Sequence, residues 1–459
     1  MDGKIVIASG SDKTLWHTFT KDQTPNGIID IKLVRWIIRN YTIVVIGKMP
    51  YIYENGYYRL DENETRLKNI IQLQLYDEVI TINNVNRIYN LILASDSLQR
   101  EFSDMNKFPE KWVNFQNGMF DPVEWKMVSH SEKFLATNQI PHKFYPDIAI
   151  DGKTTRDFLE FSIPDESDRE MLWQYYGYCM TIDSSWQKFL IYKGQGGTGK
   201  SQLIHIIDSM VGHDNLSNVS MQQLNERFYP SMLLGRLLNT CADIPSKAME
   251  AVDGIKKATG EDYLFAERKG KDGFSFRSYA KLIFSANEIP INIEEKSEAL
   301  YRRMLIIKVE RKPAKKDPKL WEKLEKEIDY SIMQAMQALH RMYQNGGITE
   351  SQNSKDNVQE LYMEADSVTA FIFERTKQID GKSVKSSDLY EKYDKYCQEG
   401  DRRAVGRTTF HKAMKNKGYI KKRKDGAEKY IDLVLTDPNV DEDGFISVAN
   451  LNQEELPFT

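Results

Sequence analysis

Residues Gly194-Gln195-Gly196-Gly197-Thr198-Gly199-Lys200-Ser201 follow the apolar run FLIY and precede the helical segment SQLIHIIDSMVG. Glycines at these intervals let the backbone curl so that successive N–H groups point inward at phosphate oxygens, and a helix starting near Lys200 adds the positive end of its dipole. In this G-x-x-x-x-G-K-[ST] spacing the lysine reaches the β- and γ-phosphates, and the Ser201 hydroxyl suits Mg²⁺, a small hard cation content with one or two protein oxygens. A glycine-rich turn that happens to carry Lys-Ser is the bland alternative. The order strand, loop, helix favours binding of ATP with Mg²⁺.

Further residues extend that chemistry. Asp243 ends the run LLNTCAD and is the candidate second magnesium ligand, against the alternative of an acid opening a turn before Pro245. It is followed by Ile244, so a separate base that activates water is not identified, although Glu261 and Asp262 are nearby in sequence. Asn287 ends AKLIFSA, where an amide could orient water against the γ-phosphate or simply cap a turn. Arg302 and Arg303 lead into MLIIKV, from where a guanidinium could reach a neighbouring subunit's nucleotide or remain a solvated pair. Between the acid and the amide, Arg268, Lys269 and Lys271 crowd around Gly270 and Asp272-Gly273, flanked by Phe265, Phe274 and Phe276. This reads as a basic loop or hairpin that grips the phosphate backbone of a single strand, with aromatics that stack on bases or merely support the turn. An ordinary solvated turn is the alternative.

These residues need elements to hold them. The chain has 459 residues, enough for two to four domains, and its 41% hydrophobic and 28% charged residues are globular in composition. A net charge of −4 means that any nucleic-acid site must be local. Cys179, Cys241 and Cys397 lie far apart, which offers neither a disulfide framework nor a zinc ribbon and fits a reducing, cytoplasmic compartment. No leader-like apolar stretch opens the sequence and no run of eighteen apolar residues follows, so neither export nor membrane spanning is expected.

The region 1–180 reads as mixed α+β: 28–47 combine helical spacing with a β-branched run, Asn55-Gly56 marks a hairpin, 62–76 and 83–100 are amphipathic, and turns sit at Asn117-Gly118 and Asp121-Pro122. Within 181–345, the runs KFLIYK, RLLNTCADI, AKLIFSA and MLIIKV alternate with helical segments, the pattern of a sheet layered with helices. The connector RKPAKKDPK then leads to one long helix over 319–344. Residues 346–365 open with GGITESQNSKDNVQE, read as a linker or exposed loop.

Residues 366–436 predict helices near 367–377, 386–399 and 407–417 and then a hairpin at Asp425-Gly426, the order of a winged helix. Ten basic side chains against one acid fill 401–424. There GRTTFHKAMKNKGY, with Arg407, Lys412 and Lys415, would be a recognition helix, and Lys421, Lys422 and Arg423 a wing bracketing duplex phosphates; a solvated basic face is the alternative. The stretch 437–459 has six acids and no Lys or Arg, and is expected to be a disordered tail. Its end, Gln453 to Phe458, suits docking into a host replication protein and resembles the acidic tip of bacterial single-stranded-DNA-binding proteins, with an inert tail as the alternative.

The order of motifs resembles a superfamily-3 AAA+ helicase of the phage, plasmid and poxvirus primase–helicase type. In that resemblance Gly194 to Ser201 are Walker A, Asp243 is Walker B, TGED with Lys269 and Lys271 is the basic B-prime segment, Ser285-Ala286-Asn287 is motif C, and Arg302 or Arg303 is the arginine finger. WVNFQNGMFDP is similar to the family's helicase-associated region, so the resemblance covers most of 50–436. It implies an α/β architecture, an AAA+ P-loop ATPase core between an α+β N-terminal region and a C-terminal winged-helix domain, assembled as a homo-hexamer that translocates on single-stranded DNA. Family members often carry paired acids or a glutamate where this chain has a lone Asp243 before Ile-Pro. Priming members carry a polymerase-like domain for which the N-terminal residues show no paired-carboxylate site. The expectation is an ATP-dependent replicative helicase of a mobile element that could also serve as its origin-binding initiator, with a non-motor NTP-gated initiator or a fused primase–helicase as alternatives.

Overall fold

The computed structural model describes residues 12–242, 252–260, 262–267, 273–289, 298–400, 402, 404–424 and 426–436. The chain divides into two compact units, Met1–Pro290 with Arg302–Lys355 and Ile291–Tyr301 with Asp356–Thr459.

The first unit is built on a parallel sheet of β1 (Phe189–Lys193), β2 (Leu216–Ser217), β3 (Leu238–Cys241), β4 (Lys281–Ala286) and β5 (Met304–Lys308), in the spatial order 2-3-4-1-5. Side chains of β4 are buried along its whole length and those of β1 up to Lys193, so both faces of the sheet are covered by protein. The four apolar runs named above are β1, β3, β4 and β5. Packed with the sheet in one apolar core are α1 (Glu166–Cys179), α2 (Lys200–Val211) and α3 (Ile328–Gln344). From Met171 onward every residue of α1 is buried, the mark of a helix enclosed by protein on all sides. At Gly177 the helix backbones of α1 and α3 nearly touch: a Cβ there would lie 2.5 Å from the Ala335 carbonyl oxygen and 2.7 Å from Leu339 Cβ.

Ahead of this core the strands Ile43–Ile46, Met49–Glu54 and Tyr57–Leu60 form an antiparallel meander. Its second turn falls at Asn55-Gly56, where φ is +52° and +99°, the two left-handed residues that a tight hairpin turn demands. Helices Thr65–Leu73 and Ile82–Leu93 bury their apolar faces beside it, both shorter than their amphipathic stretches. A second meander, Val113–Phe115, Gly118–Asp121 and Lys126–Val128, makes its first turn at Gln116-Asn117, one residue ahead of the expected Asn117-Gly118, because Gly118 already pairs with Phe115.

Two expectations are corrected. The long helix over 319–344 is two helices, Leu320–Glu325 and Ile328–Gln344. No proline or glycine marks the break; the Glu327 carboxylate instead accepts from the backbone N–H groups of Thr154 (3.1 Å) and Thr155 (2.7 Å), capping helix Lys153–Ser162. In the stretch read as a linker or loop, Gln352–Ala365 is a helix. Ser351 Oγ accepts from Ser354 N–H at 3.1 Å, and the buried Ser354 hydroxyl accepts from Ile306 N–H of β5 at 3.0 Å, so serines that looked solvent-directed serve as caps and anchors.

In the second unit the helices Ser367–Arg375, Ser386–Glu399 and Arg407–Asn416 occur near their expected places, and Lys421–Lys424 pairs with Ala427–Leu435. A strand that the sequence reading lacked, Thr376–Lys385, joins the same sheet on the other side of Ala427–Leu435. None of its residues is fully buried, so it carries no apolar alternation to read. Among the described residues no helix is long and apolar enough to cross a membrane.

The helix contact at Gly177 generates a stability test. Gly177→Ala should cost about 1–3 kcal/mol by overpacking, lowering the urea midpoint, whereas Gly406→Ala, whose Cβ would meet open space, should leave it unchanged. An unshifted midpoint for Gly177→Ala would mean that the helices do not pack this closely.

Candidate nucleotide-binding site

The chain leaves β1 at Lys193 and enters α2 at Lys200, and the loop between them is shaped by close approaches. Gly194 N–H donates to the Ala286 carbonyl at the end of β4 (3.1 Å), and a Cβ on Gly194 would sit 2.0 Å from the Val309 carbonyl oxygen. Only glycine fits. Gly197 and Gly199 take φ of +85° and +104°, left-handed conformations that other residues adopt at a cost. Thr198 Oγ1 donates to the Gln195 carbonyl at 3.0 Å and braces the curl. Gln195, Gly196 and Gly197 are solvent-facing, as is Ser201 in the first turn of α2.

Lys200 is 8% exposed, and its ammonium is held among oxygens. It donates to the Gly194 carbonyl, to the Gln195 carbonyl (3.0 Å) and to Asn287 Oδ1 (3.3 Å). Asn287 reaches it because β1 and β4 are paired neighbours, with Lys193 opposite Ala286. The sequence reading put these two residues into one site, and the structure brings them together. The group fits a polyphosphate: a solvent-facing loop with no acidic side chain, helix-start N–H groups and a lysine ammonium supply only favourable charge to an anion. Ser201 presents the hydroxyl for a divalent cation. Asp243, the other proposed ligand, and Glu261 lie outside the described residues.

The loop rests on a polar seam. Tyr192 of β1 and Tyr176 of α1 join hydroxyls at 2.8 Å, and Tyr176 donates to the Leu203 carbonyl of α2 at 2.7 Å. Burial pushes both phenols far above their ordinary range, so they stay neutral connectors. Phe158 packs its ring 3.1 Å from the Cβ position of Gly199. One nearby cation escaped the sequence reading: Lys316, on the connector after β5, places its ammonium 4.0 Å from the Cβ position of Gly197. Nothing in the run RKPAKKDPK singles it out from its neighbours.

Arg302 and Arg303 precede β5, and because β5 runs parallel to β1 they sit at the opposite strand end from Lys200 and Asn287. A five-residue strand puts roughly 17 Å between the two edges. The pair is also divided. Arg303 Nη2 donates to Gln187 Oε1 (2.9 Å), and burial together with Arg302 lowers its pKa, while Arg302 is exposed.

The basic segment is a hairpin in its described part: Tyr263–Ala266 pairs antiparallel with Phe274–Arg277. Lys269 and Lys271, with Arg268, lie outside the described residues, as does the tail Gln453–Phe458. In the second unit Arg407, Lys412, Lys415, Lys421, Lys422 and Arg423 are all exposed, and Lys421 pairs with Glu428 at 2.6 Å. Two other basic residues of that run are engaged internally, Lys417 with the buried Asp366 (3.0 Å) and Arg402 with Glu374 (3.6 Å).

Residues 192–303 match a family of unknown function (DUF5906), a span that takes in the loop, Asp243, Asn287 and both arginines. Residues 363–440 match the poxvirus D5 protein-like family. A putative helicase (L207/L206) of Acanthamoeba polyphaga mimivirus is 24% identical over 213 residues, 42% of this chain and 21% of the relative, so the match spans about a fifth of that protein's length. Two apo structures of the NrS-1 C-terminal region share the fold at TM-score 0.52, with 10% and 12% identity, over 88% of this chain and 99% of theirs.

The loop geometry sets a contrast between glycines. Gly194→Ala should weaken binding of a fluorescent ATP analogue by about tenfold or more, because its Cβ meets backbone, whereas Gly196→Ala, facing open space, should change it little. Equal effects would argue against this packing.

Proposed function

We propose that the chain is a superfamily-3 helicase of the phage, plasmid and poxvirus primase–helicase type and the ATP-driven replicative DNA helicase of a mobile genetic element, a reading supported by the similarity of residues 363–440 to the poxvirus D5 protein-like family and of 213 residues to a putative mimivirus helicase. The observation that carries this reading is the Lys200 ammonium 3.3 Å from the Asn287 amide at the ends of adjacent parallel strands. The strand order 5-1-4-3-2 supports an AAA+ core: Asn287 follows the strand beside the phosphate loop, and in the sequence Asp243 comes two residues after the end of the next strand out.

In this mechanism the loop N–H groups and Lys200 hold the β- and γ-phosphates of ATP, and Asn287 positions water in line with the γ-phosphate. A magnesium ion held by Ser201 and Asp243 would neutralise charge developing on the phosphoryl oxygens. Arg302, exposed at the far edge of the sheet, is too remote to serve its own loop and reaches the nucleotide of an adjoining subunit, which supports a ring assembly. Arg303, bound to Gln187, holds that edge in place. Loss of the γ-phosphate relaxes the subunit contact and shifts the basic hairpin, with Lys269 and Lys271, along single-stranded DNA. The helix–strand–helix–helix–hairpin order of the second unit supports a winged helix that places Arg407, Lys412 and Lys415 in a duplex groove and Lys421, Lys422 and Arg423 on phosphates. The segment Gln453–Phe458 is proposed to dock a host replication protein.

Strand displacement on a forked duplex with ATP and Mg²⁺ tests the motor. Activity abolished by Lys200→Ala is expected; ATP hydrolysis with DNA binding but no displacement would instead indicate an NTP-gated initiator. Mixing Arg302→Ala with Lys200→Ala protomers should restore part of the hydrolysis if the arginine acts in trans, and no recovery at any ratio would refute that role.

A further inference from the structure

The hairpin stem has two unlike faces. Leu264, Ala266 and Phe276 are buried, and Phe274 stacks on Phe102 with ring centroids 5.9 Å apart, so the inner face is pinned to the first unit. The outer face exposes Tyr263 and Phe265, each 62% accessible, opposite Arg277 and Ser275 in the ladder. Solvent exposure of two aromatic rings side by side is costly, and inner-face packing already secures the stem.

Both rings lie across the stem. Phe265 leans over Gly273, where a Cβ would come within 2.5 Å of its ring, and the Arg277 guanidinium sits over the Tyr263 ring, 5.1 Å from its centroid. Beside the stem Arg227 covers the 45%-exposed Phe228 in the same manner (5.3 Å) and neutralises Glu267 at 2.7 Å. Tyr263, Ser275 and Arg277 of this face line a cleft of about 1760 Å³, larger than the few hundred Å³ that a small ligand fills. Flat rings, guanidinium planes and a neighbouring run of Arg268, Lys269 and Lys271 in the sequence match a single nucleic-acid strand: bases meet rings while phosphates meet cations.

We propose that Tyr263 and Phe265 form a base-stacking platform for single-stranded DNA on the outer face of the hairpin stem, distinct from the basic residues Arg268, Lys269 and Lys271. The proposal rests on the helicase reading and adds to it a sequence-tolerant contact that reads the π-faces of bases. Stacking is nearly independent of ionic strength, whereas each phosphate contact releases counterions, and that difference separates the two rings from the basic residues.

The test is equilibrium binding of an oligo-dT carrying 2-aminopurine to the full chain across a salt series. Combined Tyr263→Ala and Phe265→Ala should lower affinity by about tenfold or more and abolish 2-aminopurine quenching, with the salt dependence of log K unchanged. Tyr263→Phe with Phe265→Tyr should restore both, which separates stacking from misfolding. Lys269→Ala with Lys271→Ala should flatten the salt dependence by about 0.7 per lost phosphate contact and keep the quenching. If the alanine pair binds as tightly as the parent while the lysine pair is weakened, the platform is refuted and the helicase reading stands. If the alanine pair instead changes the sedimenting mass but not DNA affinity, the face is a subunit contact and the proposal is equally overturned. If the parent binds no single-stranded DNA at all, the helicase reading itself falls.

Discussion

The contact between the Lys200 ammonium and the Asn287 amide is a product of strand order. The two residues lie 87 positions apart, and they meet because β4 is laid against β1 in register, so that both chains leave the sheet at the same edge. Gly194 reinforces this on two sides, donating to Ala286 and lying against the Val309 carbonyl, so that β1, β4 and the end of β5 close around one glycine. Were any other strand beside β1, the loop could still curl around an anion, but no amide would stand next to the lysine. The chemistry therefore depends on topology as much as on the loop.

Much of this was legible in the sequence for a simple reason. Strands buried on both faces are mostly apolar, so β1, β4 and β5 announced themselves; β3 was found through the leucines at its start although Asn239 and Thr240 are polar, and the loop's fixed spacing identified it. What escaped notice lacked a signal of that kind. The two-residue β2 is too short to form a run, and the strand Thr376–Lys385 has no buried residue to set a period. The break before Ile328 occurs between ordinary helix formers, at the residue whose carboxylate caps a distant helix start, a contact that no local pattern records. Lys316 reaches the loop only because of where the connector runs after β5.

The arginine pair shows where pattern and placement divide the labour. Sequence offered Arg302 and Arg303 as equals. Packing distinguishes them, since Arg303 spends its guanidinium on Gln187 and is partly desolvated while Arg302 faces water. The same division appears on the hairpin, where three phenylalanines looked alike: Phe276 is interior, Phe274 is a brace against Phe102, and Phe265 alone of the three lies open to solvent.

The near-contact of α1 and α3 at Gly177 also bears on motion. There the α1 backbone lies against the Ala335 carbonyl and Leu339 of α3 with no room for a side chain, so a shift of one helix along the other must first open this contact. Tyr176, one residue earlier, is tied to β1 through Tyr192 and to α2 through Leu203. Whatever displaces the start of α2 is therefore passed to α1 and β1, which share its hydrogen bonds.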